Sequence, residues 1–194
     1  ERELPFLVLC LGMQVMVIEY ARHVLGWIGA NSTEFDLEAP YPVIHIMEDQ
    51  ENVDAMGGTM RLGAYPCELV SGTRTHDAYA MPSISERHRH RFEFNNRFKQ
   101  DLKEAGLIAS GMYKVKNLVE ICEIRDHPFM LGSQFHPEFQ SRPTQPHPLF
   151  REFVAAATAI HREGEQPPLL SDGEPIPALT DQPDPQTNGI RSAS

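Results

Sequence analysis

The chain reads as an α/β protein, a sheet flanked by helices, and three observations predict this. An apolar run at residues 4–9 ends at Cys10 and passes straight into a stretch with helical spacing. Three further strand-like runs lie close together at residues 107–112, 118–124 and 129–135. A last helical stretch, residues 148–161, opens on Pro148, which suits the first turn of a helix. A buried first strand, flanking helices and a later set of strands pack as layers.

The elements follow in order. Residues 4–9 form the buried strand, and residues 14–25 form a helix with Val15, Ile18, Ala21, Arg22 and Leu25 at helical spacing. The polar stretch 29–34 reads as a loop, and residues 42–47 as a short strand. Residues 48–58 are acidic and end in Gly57-Gly58, the mark of a mobile loop. Residues 61–70 alternate as a strand does, residues 75–81 form a short helix or turn, and 86–94 is a charged strand-like run. Asn95 or Asn96 caps a helix over 95–105 that Gly106 stops.

Composition bounds the class. The 194 residues can bury one sizeable core, and 41% hydrophobic with 23% charged residues is ordinary for a soluble globular chain. No apolar run approaches the roughly 20 residues that cross a bilayer. A formal net charge of -10 disfavours nucleic acid as a partner. Residues 1–162 read as a single domain. Residues 163–194 hold six acidic residues, six prolines and one arginine, a composition that predicts a disordered tail. Three cysteines without paired spacing point to a reducing compartment. The chain opens at Glu1 and enters a strand within four residues, which reads as part of a longer protein.

Two strings carry the chemistry. Cys10 sits on a tight strand-to-helix turn, which presents a side chain at the positive end of a helix. A thiol held there is expected to have a lowered pKa, so Cys10 reads as a nucleophile. Cys67 and Cys122 lie in apolar or alternating segments and read as core. In Gln134-Phe135-His136-Pro137-Glu138 a strand ends at a histidine, with a carboxylate two residues on. A cysteine nucleophile needs a base, and the base needs an acceptor that sets its tautomer. His136 and Glu138 are the types for those roles.

Together these segments resemble the class I glutamine amidotransferases, whose patterns are a Gly-x-Cys-x-Gly elbow and a His-x-Glu pair. Within that class the resemblance is closer to the amidotransferase domain of the CTP synthase family. It rests on Asn31-Ser32-Thr33-Glu34-Phe35, Gly57-Gly58-Thr59-Met60-Arg61-Leu62-Gly63, Glu86-Arg87-His88-Arg89-His90-Arg91-Phe92-Glu93 with Asn95-Asn96, and residues 134–139 followed by Ser141-Arg142-Pro143 and His147-Pro148-Leu149-Phe150. It spans residues 4–159 and implies an amidotransferase-like sheet that lacks its N-terminal part.

The resemblance implies that Cys10 attacks the carboxamide of L-glutamine and forms a glutamyl thioester. His136 shuttles protons, Glu138 orients it, and the freed ammonia passes to a separate synthetase domain that aminates UTP. The backbone of Leu11, Gly12, Met13 and Gln14 surrounds the scissile amide, with Leu11 N–H at the oxyanion. Gln14 and Glu34 contact the polar ends of the substrate, and Arg91 completes the pocket. ATP and Mg belong to the synthetase domain, and GTP activates allosterically through a lid at residues 57–63. A cytoplasmic homotetramer is implied as well.

Some positions keep two readings. Arg87, Arg89 and Arg91 share one strand face and His88 and His90 the other. The arginines are a solvated charge face or a phosphate patch. Metal binding by the histidines is disfavoured, because no cysteine or acidic residue has suitable spacing. Val8 stands where the family has glycine, and it crowds the elbow unless a small neighbour makes room. The family's oxyanion loop would precede residue 4, so the chain alone is expected to hydrolyse glutamine poorly. Another class I amidotransferase, a γ-glutamyl hydrolase or a non-catalytic binding module remain alternatives.

Overall fold

The computed structural model describes residues 3–46 and 60–163. The acidic loop 48–58, residues 57–59 of the Gly57–Gly63 lid and the tail beyond residue 163 lie outside the described residues. β1 (Phe6–Leu9) leads through Cys10 into α1 (Leu11–His23). β2 (Ala30–Ser32), β3 (Tyr41–Ile46), β4 (Arg61–Leu69), α2 (Arg74–Tyr79), β5 (Ser83–His90) and β6 (Phe92–Phe94) follow. A 3₁₀ turn at Asn96–Phe98 runs into α3 (Lys99–Glu104). β7 (Leu107–Tyr113), β8 (Leu118–Ile124), β9 (Met130–Ser133), a 3₁₀ turn at Pro137–Phe139 and α4 (Pro148–Glu163) complete the order.

Six strands form one sheet in the order β1-β9-β8-β7-β4-β5, with β1 parallel to β9 and every other pair antiparallel. A second sheet has the order β2-β3-β6. One core lies under α1, where Met13, Val17 and Ala21 meet Val43, Ile44, Leu102 and Val119. The other packs Cys67, Ile121, Leu131 and Phe135 against Ala78 and Leu149, from α2 and α4. Helices thus cover both faces of the main sheet, as the α/β pattern predicts. Cys67 and Cys122 are fully buried, as expected of core residues.

Three expectations need correction. β1 is an edge strand paired on one side by β9, so it is only half covered, and Phe6 is exposed. The 29–34 stretch contains β2, parallel to β3, whose three residues are too short to show alternation. The 86–94 run breaks at Arg91 into β5 and β6, which belong to different sheets. Boundaries shift too: α1 begins immediately after Cys10, and Val15 lies on its exposed side while Met13, Met16 and Val17 face inward. Asn95 does cap the next turn, its Oδ1 accepting from Arg97 N–H at 3.1 Å. Gly106 ends α3 at φ 111°, a conformation that favours glycine. No helix among the described residues is long and apolar enough to cross a membrane.

Candidate active site

Cys10 occupies the tight turn that its sequence context predicts. Its N–H donates to Ser133 O at 2.7 Å, which fastens the end of β1 to the end of β9. Its backbone then turns sharply at φ 50°, ψ -110°, a strained conformation for a residue with a Cβ, and α1 starts at the next residue. The turn closes because α1 lies very near the sheet. A Cβ on Gly132 would stand 2.9 Å from Met16 Cε and 3.0 Å from Met13 Cβ. Val8 is accommodated by Gly12, where an added Cβ would stand 3.0 Å from Val8 Cβ. The bulk on one side of the elbow is matched by the glycine on the other. Gly12→Ala is therefore expected to destabilise the chain by about 1–3 kcal/mol. In a Val8→Gly background most of that loss should disappear, as urea unfolding of the four proteins would show.

The free edge of β5 positions both halves of the site. Three carbonyls, on alternate residues, face away from β4. Ser85 O accepts from Gln140 Nε2 at 2.9 Å, Arg87 O accepts from His136 N–H at 2.9 Å, and Arg89 O lies 3.9 Å from the Cys10 sulfur. Alternate residues of a strand are roughly 7 Å apart. The Arg-His-Arg-His-Arg strand thereby holds the cysteine and the histidine as near neighbours, although 126 positions separate them in the chain. His136 Nδ1 and Glu138 Oε1 are 2.7 Å apart. A carboxylate accepts, so Nδ1 carries the proton and Nε2 offers a lone pair. Nε2 is buried and has no hydrogen-bond partner among the described residues.

The thiol differs from expectation. Burial raises the Cys10 pKa above its ordinary value, with Glu138 and Glu93 adding to the rise. The Leu11 N–H and the Gln134 side chain pull the other way without offsetting it. The helix start alone does not populate a thiolate, because the partial burial of the sulfur outweighs it. The resting group is a thiol, and a base must take its proton as it reacts.

A cleft of about 380 Å³ opens over Cys10, and Leu11, Gln14, Glu34 and Arg91 line it together with Phe35 and His90. Gly12 and Met13 point elsewhere: Gly12 faces Val8, and Met13 is fully buried in the core. The first turn of α1 can serve the cleft only through backbone N–H groups at those two positions. A larger groove of about 630 Å³ lies beside β1 and α1, but its lining is almost wholly apolar. A zwitterion would find few partners there.

Behind the cleft lies a buried ionic cluster that the sequence did not reveal. Arg61 of β4 reaches Glu120 of β8 at 2.8 Å and Glu93 of β6 at 3.0 Å. His88 Nδ1 and His90 Nε2 are 2.9 Å apart, and His90 Nδ1 faces Phe92 O at 3.1 Å. Alternation along β5 places these histidines opposite the arginines. The structure buries the histidine face and exposes Arg87 and Arg89. Ligand atoms of His88, His90 and Glu120 lie within 4.8 Å of one another, a spacing that could hold a metal ion. Glu120 supplies the acidic partner that local spacing could not. Its charge is already met by the Arg61 guanidinium, so the cluster contains its own cation. Burial, reinforced by Arg61, pushes His88 down to about 2 and His90 down to about 3, which keeps both neutral.

Comparison with known proteins agrees with this geometry. The profile of the family Glutamine amidotransferase class-I matches residues 1–156. CTP synthase from Dehalococcoides mccartyi strain CBDB1 is 59% identical over 169 residues, covering 87% of this chain and 31% of that protein. CTP synthase from Roseiflexus castenholzii is 59% identical over 170 residues, with the same two coverages. The chain thus spans about a third of the length of these relatives. Among solved structures, the Trypanosoma brucei CTPS glutaminase domain with bound acivicin superposes with a TM-score of 0.76 at 39% identity, covering 81% of this chain and 61% of that one. A GMP synthase component from Thermoplasma acidophilum, 15% identical with a TM-score of 0.53, shares the fold. It covers 84% of this chain and 61% of that one. An elbow cysteine and a histidine–glutamate pair held along one strand edge, on a sheet covered by helices, thus coincide with a profile that runs through most of the chain: it belongs to the class I glutamine amidotransferase family.

Proposed function

We propose that this chain is the glutamine-hydrolysing part of a CTP synthase. The observation that carries the reading is the His136–Glu138 pair, whose buried Nε2 is left with a lone pair on the strand edge that also holds Cys10. In this reading the Cys10 sulfur attacks the side-chain carbonyl of L-glutamine while His136 Nε2 takes the thiol proton. The tetrahedral oxyanion is met by the Leu11 N–H at the start of α1. Collapse breaks the C–N bond, His136 gives its proton to the leaving nitrogen, and ammonia departs. Water then attacks the glutamyl thioester with His136 as base, releasing glutamate and returning the proton to sulfur. Glu138 keeps Nδ1 protonated throughout, so Nε2 is always the working nitrogen.

Glu34 suits the α-ammonium of the substrate, Arg91 its α-carboxylate, and Gln14 its amide end. The ammonia is destined for UTP activated by ATP with Mg, in the part of the enzyme that the longer relatives contain beyond this chain's match. GTP activation through the 57–63 lid, a homotetramer and a cytoplasmic setting belong to the same reading. The acivicin-bound relative makes acivicin the first ligand to try. Incubated with a glutamine-analogue electrophile, the 194-residue chain is expected to become labelled at Cys10 and not at Cys67 or Cys122. Glutamine should protect it, and His136→Asn should slow labelling. Mass spectrometry that finds Cys10 unmodified while the chain is folded would overturn the reading.

A further inference from the structure

Gln134 is fully buried and belongs to no role assigned so far. Its surroundings fix which end of its amide points where. Gln14 Nε2 lies 3.0 Å from Phe92 O and 3.2 Å from Gln134 Oε1. A backbone carbonyl only accepts, so the Gln14 group facing Phe92 must be its NH₂. That NH₂ has two protons, one for Phe92 O and one for Gln134. The Gln134 atom facing Gln14 is then necessarily its oxygen. Its own NH₂ must point the other way, and there it meets the Cys10 sulfur at 3.8 Å. The polarity of a chain of two amides is thus set by one carbonyl of β6 and ends with an N–H aimed at the nucleophile.

We propose that Gln134 is a further catalytic residue, whose side-chain N–H donates to the Cys10 sulfur and holds the thiolate during attack. A hydrogen bond to an anion is shorter and stronger than one to a neutral thiol, so the contact tightens as charge develops on sulfur. The same chain commits both protons of Gln14 to the protein, which leaves Gln14 Oε1 as the group that accepts from a ligand in the cleft. Substrate contact at Gln14 and the donor at the sulfur are therefore two ends of one oriented array. This inference rests on the proposed role of Cys10 as nucleophile, but its test needs no glutamine.

The experiment follows iodoacetamide alkylation of Cys10 against pH in the 194-residue chain and in Gln134→Leu, Gln134→Glu and Gln14→Leu. The charges facing the sulfur, from Glu34, Arg89, Arg91, Glu93, His136 and Glu138, are common to all four proteins. Gln134→Leu should raise the alkylation midpoint by about one pH unit and slow the reaction at neutral pH on the order of tenfold. Gln134→Glu should raise it further, since a carboxylate replaces the donor. Gln14→Leu, which removes the group that orients Gln134, should move it in the same direction. An unchanged midpoint, even with lowered thermal stability, reduces Gln134 to a packing residue and overturns the proposal. If a variant unfolds, as alkylation of Cys67 or Cys122 would reveal, the wild-type chain carries the test. The Gln134 side-chain amide resonance must then titrate with the Cys10 midpoint, and a resonance that does not move overturns the proposal. Failure of the glutamine-analogue electrophile to label Cys10, together with a shifted midpoint, would instead sink the proposed function and keep the hydrogen bond.

Discussion

Cys10→Ala is expected to remove glutamine hydrolysis, lowering turnover by a factor on the order of 10⁴ or more. In the proposed reaction the sulfur is the atom that bonds to substrate, and no other cysteine can replace it, because Cys67 and Cys122 are sealed in the cores. The loss should be non-additive. Once Cys10 is gone, His136→Asn has no nucleophile to activate, so the double variant should be no slower than Cys10→Ala alone. Stability should respond differently from activity. Cys10 holds φ 50°, ψ -110°, a conformation that strains any residue with a Cβ, and alanine keeps that strain. Cys10→Gly should be equally inactive yet melt at a higher temperature than Cys10→Ala. Equal melting temperatures would mean that the elbow stores no strain.

The second large effect lies on stability. Arg61→Ala is expected to cost about 3–5 kcal/mol, because it leaves Glu93 and Glu120 buried without their shared cation. Adding Glu120→Gln should recover much of the loss, since the cost comes from uncompensated charge and less from lost packing. One guanidinium cannot hold two buried carboxylates ionised. Burial outweighs the guanidinium and pushes Glu93 up to about 8, and Glu120 is raised for the same reason. An unfolded chain releases the Glu93 proton near 4.5, whereas the folded chain keeps it until about 8. Stability therefore falls as pH rises through that interval. His88 and His90 act in the opposite sense. The unfolded chain protonates them below 6.5 while the folded chain does not, so stability falls as pH drops below 6.5. The cluster's contribution should thus peak at about pH 6.5, and Glu93→Gln should flatten the alkaline side of that peak. Denaturation midpoints measured across pH for both proteins would decide it.

The elements that could be read in advance are those whose signals are local. Asn95 before a helical run, Gly106 after it and Pro148 at the head of α4 act within a few residues, and each element formed where it was expected. The same is true of Cys10 between an apolar run and a helix, and of histidine two residues before glutamate. β2 was missed because its three residues are too few to show a period, and its strand character comes from β3 beside it. The burial of β1 was overestimated because apolar composition cannot tell an edge strand from a central one. The lowered thiol pKa was expected from the helix start, but it depends on solvent access, which local sequence does not report.

By itself, then, the order of residues determined the α/β layering, the elbow at Cys10 and the histidine–glutamate pair proposed as base and orienting carboxylate. These depend on neighbours along the chain and on side-chain chemistry. Only tertiary structure decided that alternate β5 carbonyls face the Cys10 sulfur and the His136 backbone, that Arg61 joins carboxylates from two other strands, and that Gln134 turns its N–H to the sulfur. Each of these arises where strands distant in sequence come together. Burial and hydrogen-bond direction there are properties of the assembled sheet, and no short segment contains them.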